Sequence, residues 1–180
     1  MTETREKLLT TTILLHWLIA VPMIAMLGMG LYLESLPVGP EKNELVGVHM
    51  GVGLIILCLA VLRSIWRLSH GFPPAVGEYR KWEQRLAKIA HWALLLATML
   101  LPISGIVMTL GSGRAVSFFG TPVFGPFEKI ELMSNVGHVM HGLGGRVIIV
   151  MVVLHIAGAL KHALIDGDGT MKRIVGKPTS

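Results

Sequence analysis

The chain has 180 residues, of which 52% are hydrophobic and 15% charged, with a formal net charge of +5 and a mean hydropathy of +0.65. That length allows one compact domain, and that balance excludes an ordinary soluble one and points to an integral membrane protein. The single cysteine, Cys58, excludes an internal disulfide, and the lack of a CxxCH sequence excludes covalent attachment of a c-type haem.

Four apolar segments predict four helices, each long enough to cross a hydrocarbon core of ~30 Å. The first, about 12–33, holds His16, Pro22 and Gly30. It lacks a small-residue cleavage pattern and is read as a span, not a secretory signal. The second, about 45–67, holds His49, Cys58, Arg63 and Arg67. Cys58 is expected to be a buried, inert thiol. "HGFPPAVGEY" then breaks helix. The third segment, about 89–110, carries His91 near its start and Pro102 inside. "GTPVFGPF" makes the next connection a loop. The fourth, about 136–162, holds His138, His141, Arg146, His155 and His162. The predicted fold is an all-α integral membrane protein, one four-transmembrane-helix bundle over 1–180.

Charge sets the orientation. Residues 1–11, 63–88 and 161–180 hold 12 of the 16 Lys and Arg, whereas the connections 34–44 and 111–135 hold only Lys42, Arg114 and Lys129. By the positive-inside rule both termini and the middle connection are cytoplasmic. The basic excess is thus topological. A nucleic-acid role is disfavoured, because the basic residues flank spans and form no basic module.

The histidines form a constellation on this map. His141 and His155 are 14 residues apart, nearly four turns, so they share a helix face ~21 Å apart along the axis. His49 matches His141 in depth on the outer side, and His16 matches His155 on the inner side. Facing imidazoles on opposed helices are what bis-histidine ligation of a non-covalent haem b requires. Two such sites would make a wire across the membrane. Gly30, 14 residues after His16, leaves a gap at the outer level, and Gly51, Gly53, Gly142, Gly144 and Gly145 crowd His49 and His141. Small residues let a flat macrocycle approach the backbone. Arg63 and Arg67 follow His49 by 14 and 18 residues, which brings two cations to the inner level for haem propionates.

Each residue taken alone has a blander reading. Membrane histidines usually hydrogen-bond between helices and glycines usually serve packing. Arginines at helix ends usually snorkel. Four histidines at two matched depths make those readings jointly weak. Zinc is weaker too, because its structural sites usually draw on Cys as well as His, and a 14-residue separation cannot serve one ion. His91 lies close in depth to His16, so spacing alone does not say which of them faces His155. It is taken as a hydrogen-bonding or quinone-side residue.

The segments "LLHWLIAVPM", "GVHMGVGLIILCLAVLRSIWRL", "AHWALLLATMLLPISGIVM" and "LHIAGALKH" resemble the bacterial cytochrome b561 family from about Leu14 to His162. The resemblance implies a four-helix inner-membrane protein with two haems b. It implies His16 and His155 as ligands of the inner iron and His49 and His141 as ligands of the outer one. It further implies electron exchange with ubiquinone and, in at least one associated activity, oxidation of superoxide. A related arrangement occurs in cytochrome b subunits of hydrogenases and formate dehydrogenases.

On that reading ubiquinone docks on the cytoplasmic side near His162 and Trp17, with polar contacts drawn from Thr10, Thr11, Thr12, Trp17 or His162. Superoxide gives up its electron at the outer haem. The outer connections carry three basic and five acidic residues, so any steering of an anion there is local, through Arg114, Lys129 or Lys42. Arg146 is mid-helix, about 140° round from His141, with no acidic mate in the four spans. A polar helix interface, an outer propionate or another subunit are its candidate partners. Two other function classes compete: a cytochrome b subunit or quinol-oxidising carrier serving a dehydrogenase, and a haem-free transporter whose histidines relay protons.

Overall fold

The computed structural model describes residues 3–4 and 7–179. Its frame is four helices: α1 (Thr10–Ser35), α2 (Pro40–His70), α3 (Lys81–Gly111) and α4 (Glu131–Lys161). All four are long and apolar enough to cross a membrane. At 1.5 Å per residue α1 is ~39 Å long and the others ~46 Å, so each overruns the hydrocarbon core.

The overruns are built from polar end signals that hydropathy does not register. Pro40 opens α2 at the position where its missing N–H costs nothing. Glu83 accepts the Arg80 backbone N–H at 3.0 Å, closing the first turn of α3. Gly71, at φ 71°, ends α2 and donates its N–H to the Arg67 carbonyl. Beyond α4 the chain makes one π-helical turn (His162–Asp166) and then a short helix, α5 (Thr170–Ile174).

The α3–α4 connection is not wholly loop. Val116–Phe118 (β1) and Thr121–Phe124 (β2) pair antiparallel, with Phe118 opposite Thr121 and an irregularity between Val116 and Ser117. Phe119 (φ 48°) and Gly120 (φ 86°) make the turn. Positive φ at both central positions suits the twist of a two-residue hairpin. In a two-stranded ribbon both strands are edges, so Pro122 is tolerated inside β2.

Helix α1 packs on α2, α2 on α3, and α3 most extensively on α4, while α1 and α4 touch only sparsely. Glycine explains the tight pair. A Cβ on Gly111 would lie 2.4 Å from the Ser134 nitrogen, and one on Gly137 would lie 2.4 Å from the Met108 nitrogen. Close backbone approach at small residues is how helices associate where lipid is as apolar as the interface.

Ile19, Met23, Leu27, Ile56, Leu101 and Ile148 form the buried core. On α1, α3 and α4 these positions fall between an inner and an outer histidine or glycine, and on α2 Ile56 lies midway between His49 and Arg63. Cys58 was expected to be buried but is exposed on the bundle surface. An apolar sequence context does not mark the inside of a protein whose outside is lipid.

The described ends of the chain converge at one end of the bundle, beside the α2–α3 connection. Glu3 pairs with Arg67 at 2.9 Å. Arg173 Nη1 donates to the carbonyls of Thr4 at 3.1 Å and Pro74 at 2.8 Å. The β-hairpin occupies the other end.

Candidate functional site: two levels of imidazoles

At the outer level α2 presents His49 and α4 presents His141, with ring centroids 6.0 Å apart and planes at 83°. A metal held between two imidazole nitrogens by bonds of about 2 Å sets ring centroids about 6 Å apart. The His141 Nδ1 lies 3.0 Å from the Leu101 carbonyl and 3.1 Å from the Ser104 hydroxyl of α3. A carbonyl only accepts, so the proton sits on Nδ1 and the Nε2 lone pair is left for a ligand. The His49 Nδ1 is buried with no hydrogen-bond partner among the described residues. A buried polar nitrogen left that way calls for a ligand. These observations fit an iron at this level.

Glycines shape the space. Gly30 comes within 3.8 Å of the His49 ring, measured from an added Cβ, as its position level with His49 implies. Gly105, which sequence reasoning missed, would bring a Cβ within 3.1 Å of the His141 ring. The small size of Gly51 serves another neighbour: Phe119 of the hairpin packs where its Cβ would be, 2.8 Å away. Gly47, one turn earlier, takes Gly120 at 3.1 Å. The hairpin therefore closes over the outer end of α2, beside His49.

At the inner level three imidazoles gather. His91 of α3 meets His155 of α4 with centroids 5.9 Å apart. His16 of α1 contacts Trp17 at 5.1 Å and lies within electrostatic reach of His155, His91 and Arg63. None of the three has a hydrogen-bond partner among the described residues. Phe72 stacks on His91 at 5.7 Å. Arg63 is half-buried beside these rings, with neither ion pair nor hydrogen bond among the described residues. An unpaired guanidinium next to free imidazoles suits an anionic group such as a propionate. Arg67 is already engaged. It is buried, paired with Glu3, hydrogen-bonded to the Gly71 carbonyl at 2.9 Å and 5.8 Å from the Phe72 ring centre. The expectation that it reaches a propionate is replaced by this structural pairing.

Other candidates have acquired partners. The Trp17 indole donates to the Ile174 carbonyl at 2.9 Å. Thr12 is buried between the Glu3 carboxylate and the Trp66 indole. The His162 Nδ1 lies 2.8 Å from Asp168 Oδ2 and 2.9 Å from Asp166 Oδ2, and Tyr79 packs 4.9 Å away. Tyr79, Asp166 and Asp168 were missed in the sequence, although "HALIDGDG" carries the two acids beside the histidine. His138 is exposed and bonds back to the Ser134 carbonyl at 2.8 Å. Arg146, expected to lack an acidic mate within the spans, pairs with Glu34 at 2.5 Å. Glu34 belongs to the last turn of α1, which runs past the apolar segment. The pair bridges the sparse α1–α4 seam.

Comparison with known proteins places the chain in a family. A family model described as prokaryotic cytochrome b561 matches residues 9–177. The chain is 28% identical to cytochrome b561 homolog 2 of Escherichia coli (strain K12), covering 99% of this chain and 96% of that one. It is 26% identical to cytochrome b561 homolog 1 of the same organism, over 92% and 94%. It is also 23% identical to a protein of Yersinia pestis named probable superoxide oxidase CybB, over 91% and 92%. The chain belongs to the prokaryotic cytochrome b561 family, multi-pass membrane proteins of bacteria that bind haem b and transfer electrons.

Proposed function

We propose that this protein is a superoxide:ubiquinone oxidoreductase of the inner membrane, holding two haems b and passing electrons from the outer face to the cytoplasmic face. The observation that carries this reading is the stacking of two groups of facing imidazoles, one on each side of a single apolar core. His49 and His141 would hold the outer iron. His16 and His155 would hold the inner one. The choice of His16 over His91 rests on helix packing. The sparse contact between α1 and α4 leaves width for a flat macrocycle, whereas α3 is pressed against α4.

Haem iron, when bound, supplies one-electron transfer. The chain supplies the rest. The Leu101 carbonyl and Ser104 fix the tautomer of His141. Arg63 would neutralise inner propionates. Ile19, Ile56 and Ile148 exclude water between the levels. The Lys and Arg of the termini and the α2–α3 connection favour cytoplasmic placement of the inner level.

Two further considerations support the substrates. A charged donor crosses hydrocarbon only at high cost, which favours reaction at the outer level. Among the outer basic residues, Lys42 bonds the Leu36 carbonyl and Lys129 pairs with Glu131. The Arg114 side chain has no such partner among the described residues. It is the cation left to attract a small anion. The name of the Yersinia pestis relative points the same way. Stopped-flow mixing of the oxidised protein with superoxide tests the reading. Haem reduction faster than spontaneous dismutation, followed by reoxidation with a ubiquinone analogue, is expected. Reduction no faster than dismutation allows would refute the superoxide step.

A further inference from the structure

At the inner end of α4 a set of polar groups is organised around one nitrogen. His162 is followed by a π-helical turn that ends in Asp166, and Gly167 (φ 60°) and Gly169 (φ 82°) bracket Asp168. Left-handed conformations on both sides of Asp168 fold the chain back under the helix. The result brings the Asp168 Oδ2 to 2.8 Å from the His162 Nδ1, with the Asp166 Oδ2 at 2.9 Å.

Asp168 is held in turn. The Tyr79 hydroxyl, from the α2–α3 connection, donates to its Oδ2. The Thr170 backbone N–H donates to its Oδ1 at 2.8 Å. Asp166 is held by Lys161 at 2.8 Å, and Lys161 also reaches Glu83 of α3 at 3.5 Å. Burial would raise the Asp168 carboxyl, but the Tyr79 hydroxyl, the Thr170 backbone and side chain and the nearby His162 hold it below the ordinary carboxylate range. Asp168 is thus an acceptor at neutral pH. The His162 Nδ1 must then carry its proton, and Nε2, which has no hydrogen-bond partner among the described residues, is the nitrogen available to a ligand.

We propose that Asp168, locked by Tyr79 and Thr170, is the positioning residue that holds the His162 ring by its Nδ1–H, so that Nε2–H delivers a proton to a quinone oxygen. This rests on the quinone reading of the site. Reduction of a quinone to its quinol consumes two electrons and two protons. The electrons would be supplied one at a time by haem held at the inner level. One proton passes from His162 Nε2, where an N–H bond breaks, to a quinone oxygen, where an O–H bond forms. The second oxygen takes its proton from water. The ring returns to the neutral Nδ1–H tautomer and regains its Nε2 proton from water on the same side. A carboxylate fixing a histidine's orientation and tautomer is the division of labour seen in hydrolase triads.

The test uses the full-length, haem-loaded protein in detergent, reduced chemically and mixed with decylubiquinone in a stopped-flow instrument. Asp168→Asn should slow haem reoxidation about 100-fold, with a much smaller change in the half-saturating quinone concentration. Asp168→Glu should recover part of the rate. The pH–rate profile of Asp168→Asn should differ in shape from that of the wild type, because one of the two carboxylates beside His162 is gone. Ferricyanide, which takes an electron without a proton, should reoxidise wild type and Asp168→Asn equally. Tyr79→Phe removes one support of Asp168 without touching its charge. It should slow the quinone reaction about threefold, and it serves if Asp168→Asn fails to assemble. Wild-type protein that decylubiquinone does not reoxidise would refute the quinone reading itself. Wild-type protein that reacts, with Asp168→Asn or Tyr79→Phe equally fast or with an unchanged pH profile, would overturn the role of Asp168 and leave the quinone reading standing.

Discussion

Gly105 of α3 lies so close to His141 of α4 that a Cβ on it would stand 3.1 Å from the imidazole Cε1. The same ring is pinned from α3 by the Leu101 carbonyl and Ser104. Its position is therefore set by α3, although the ring it faces, His49, belongs to α2. Gly105→Ala should push the ring off its hydrogen bonds and weaken outer haem binding about tenfold. Gly28→Ala, on the exposed surface of α1, should change nothing. Haem titration of the two variants checks this.

The two arginines of α2 should behave differently. Glu3→Gln leaves the Arg67 charge buried without its partner, and stability should fall by about 3 kcal/mol, with haem potentials unchanged. Arg63→Gln should leave stability nearly intact. It removes a cation from the inner level, so the reduced state is less favoured and the inner midpoint potential should fall by about 60 mV, a tenfold change in the one-electron equilibrium. Thermal denaturation and redox titration of both variants separate the roles.

The four spans were legible in the sequence because hydropathy and helix length are the strongest signals a membrane chain carries. The depth matching of His49 with His141 was legible too, since it needs only the 3.6-residue period. What was lost has specific physical reasons. Pro122 and the surrounding glycines read as loop because the Phe119–Gly120 turn lacks the usual Asn-Gly signature. Glu34 was assigned to a connection because polar residues end an apolar run before they end a helix. Arg67 faces the inner level by periodicity, but its partner Glu3 is 64 residues away in sequence and no local pattern pairs them. Tyr79 and Asp168 are 89 residues apart and meet only through the fold. Cys58 was misplaced because lipid and core ask for the same residues.

Asp168 also gives a pH signature. Its folded-state pKa lies below the ordinary 3.8. It therefore contributes stability that is present above about pH 4 and lost as the pH falls through the folded value. Protonation should release Tyr79 and His162 and loosen the segment that carries α5. Because the Trp17 indole bonds the Ile174 carbonyl, Trp17 fluorescence should report the release. Asp168→Asn should abolish that acid transition.

Arg114 should act on rate alone. If it steers superoxide, Arg114→Gln should slow outer-haem reduction about threefold at low salt and have no effect at high salt, where screening removes the difference. Stopped-flow rates across ionic strength measure this directly.

Two haems b, each held by its own histidine pair, are the core of the proposed function. The most direct measurement is haem content per chain with reduced-minus-oxidised spectra, for wild type, His141→Ala, His16→Ala and His91→Ala. Wild type should hold two non-covalent, low-spin haems, with the outer one lost in His141→Ala and the inner one in His16→Ala. Both should be retained in His91→Ala. A single haem in wild type, or two fully occupied haems surviving in His141→Ala, would contradict the two-haem assignment.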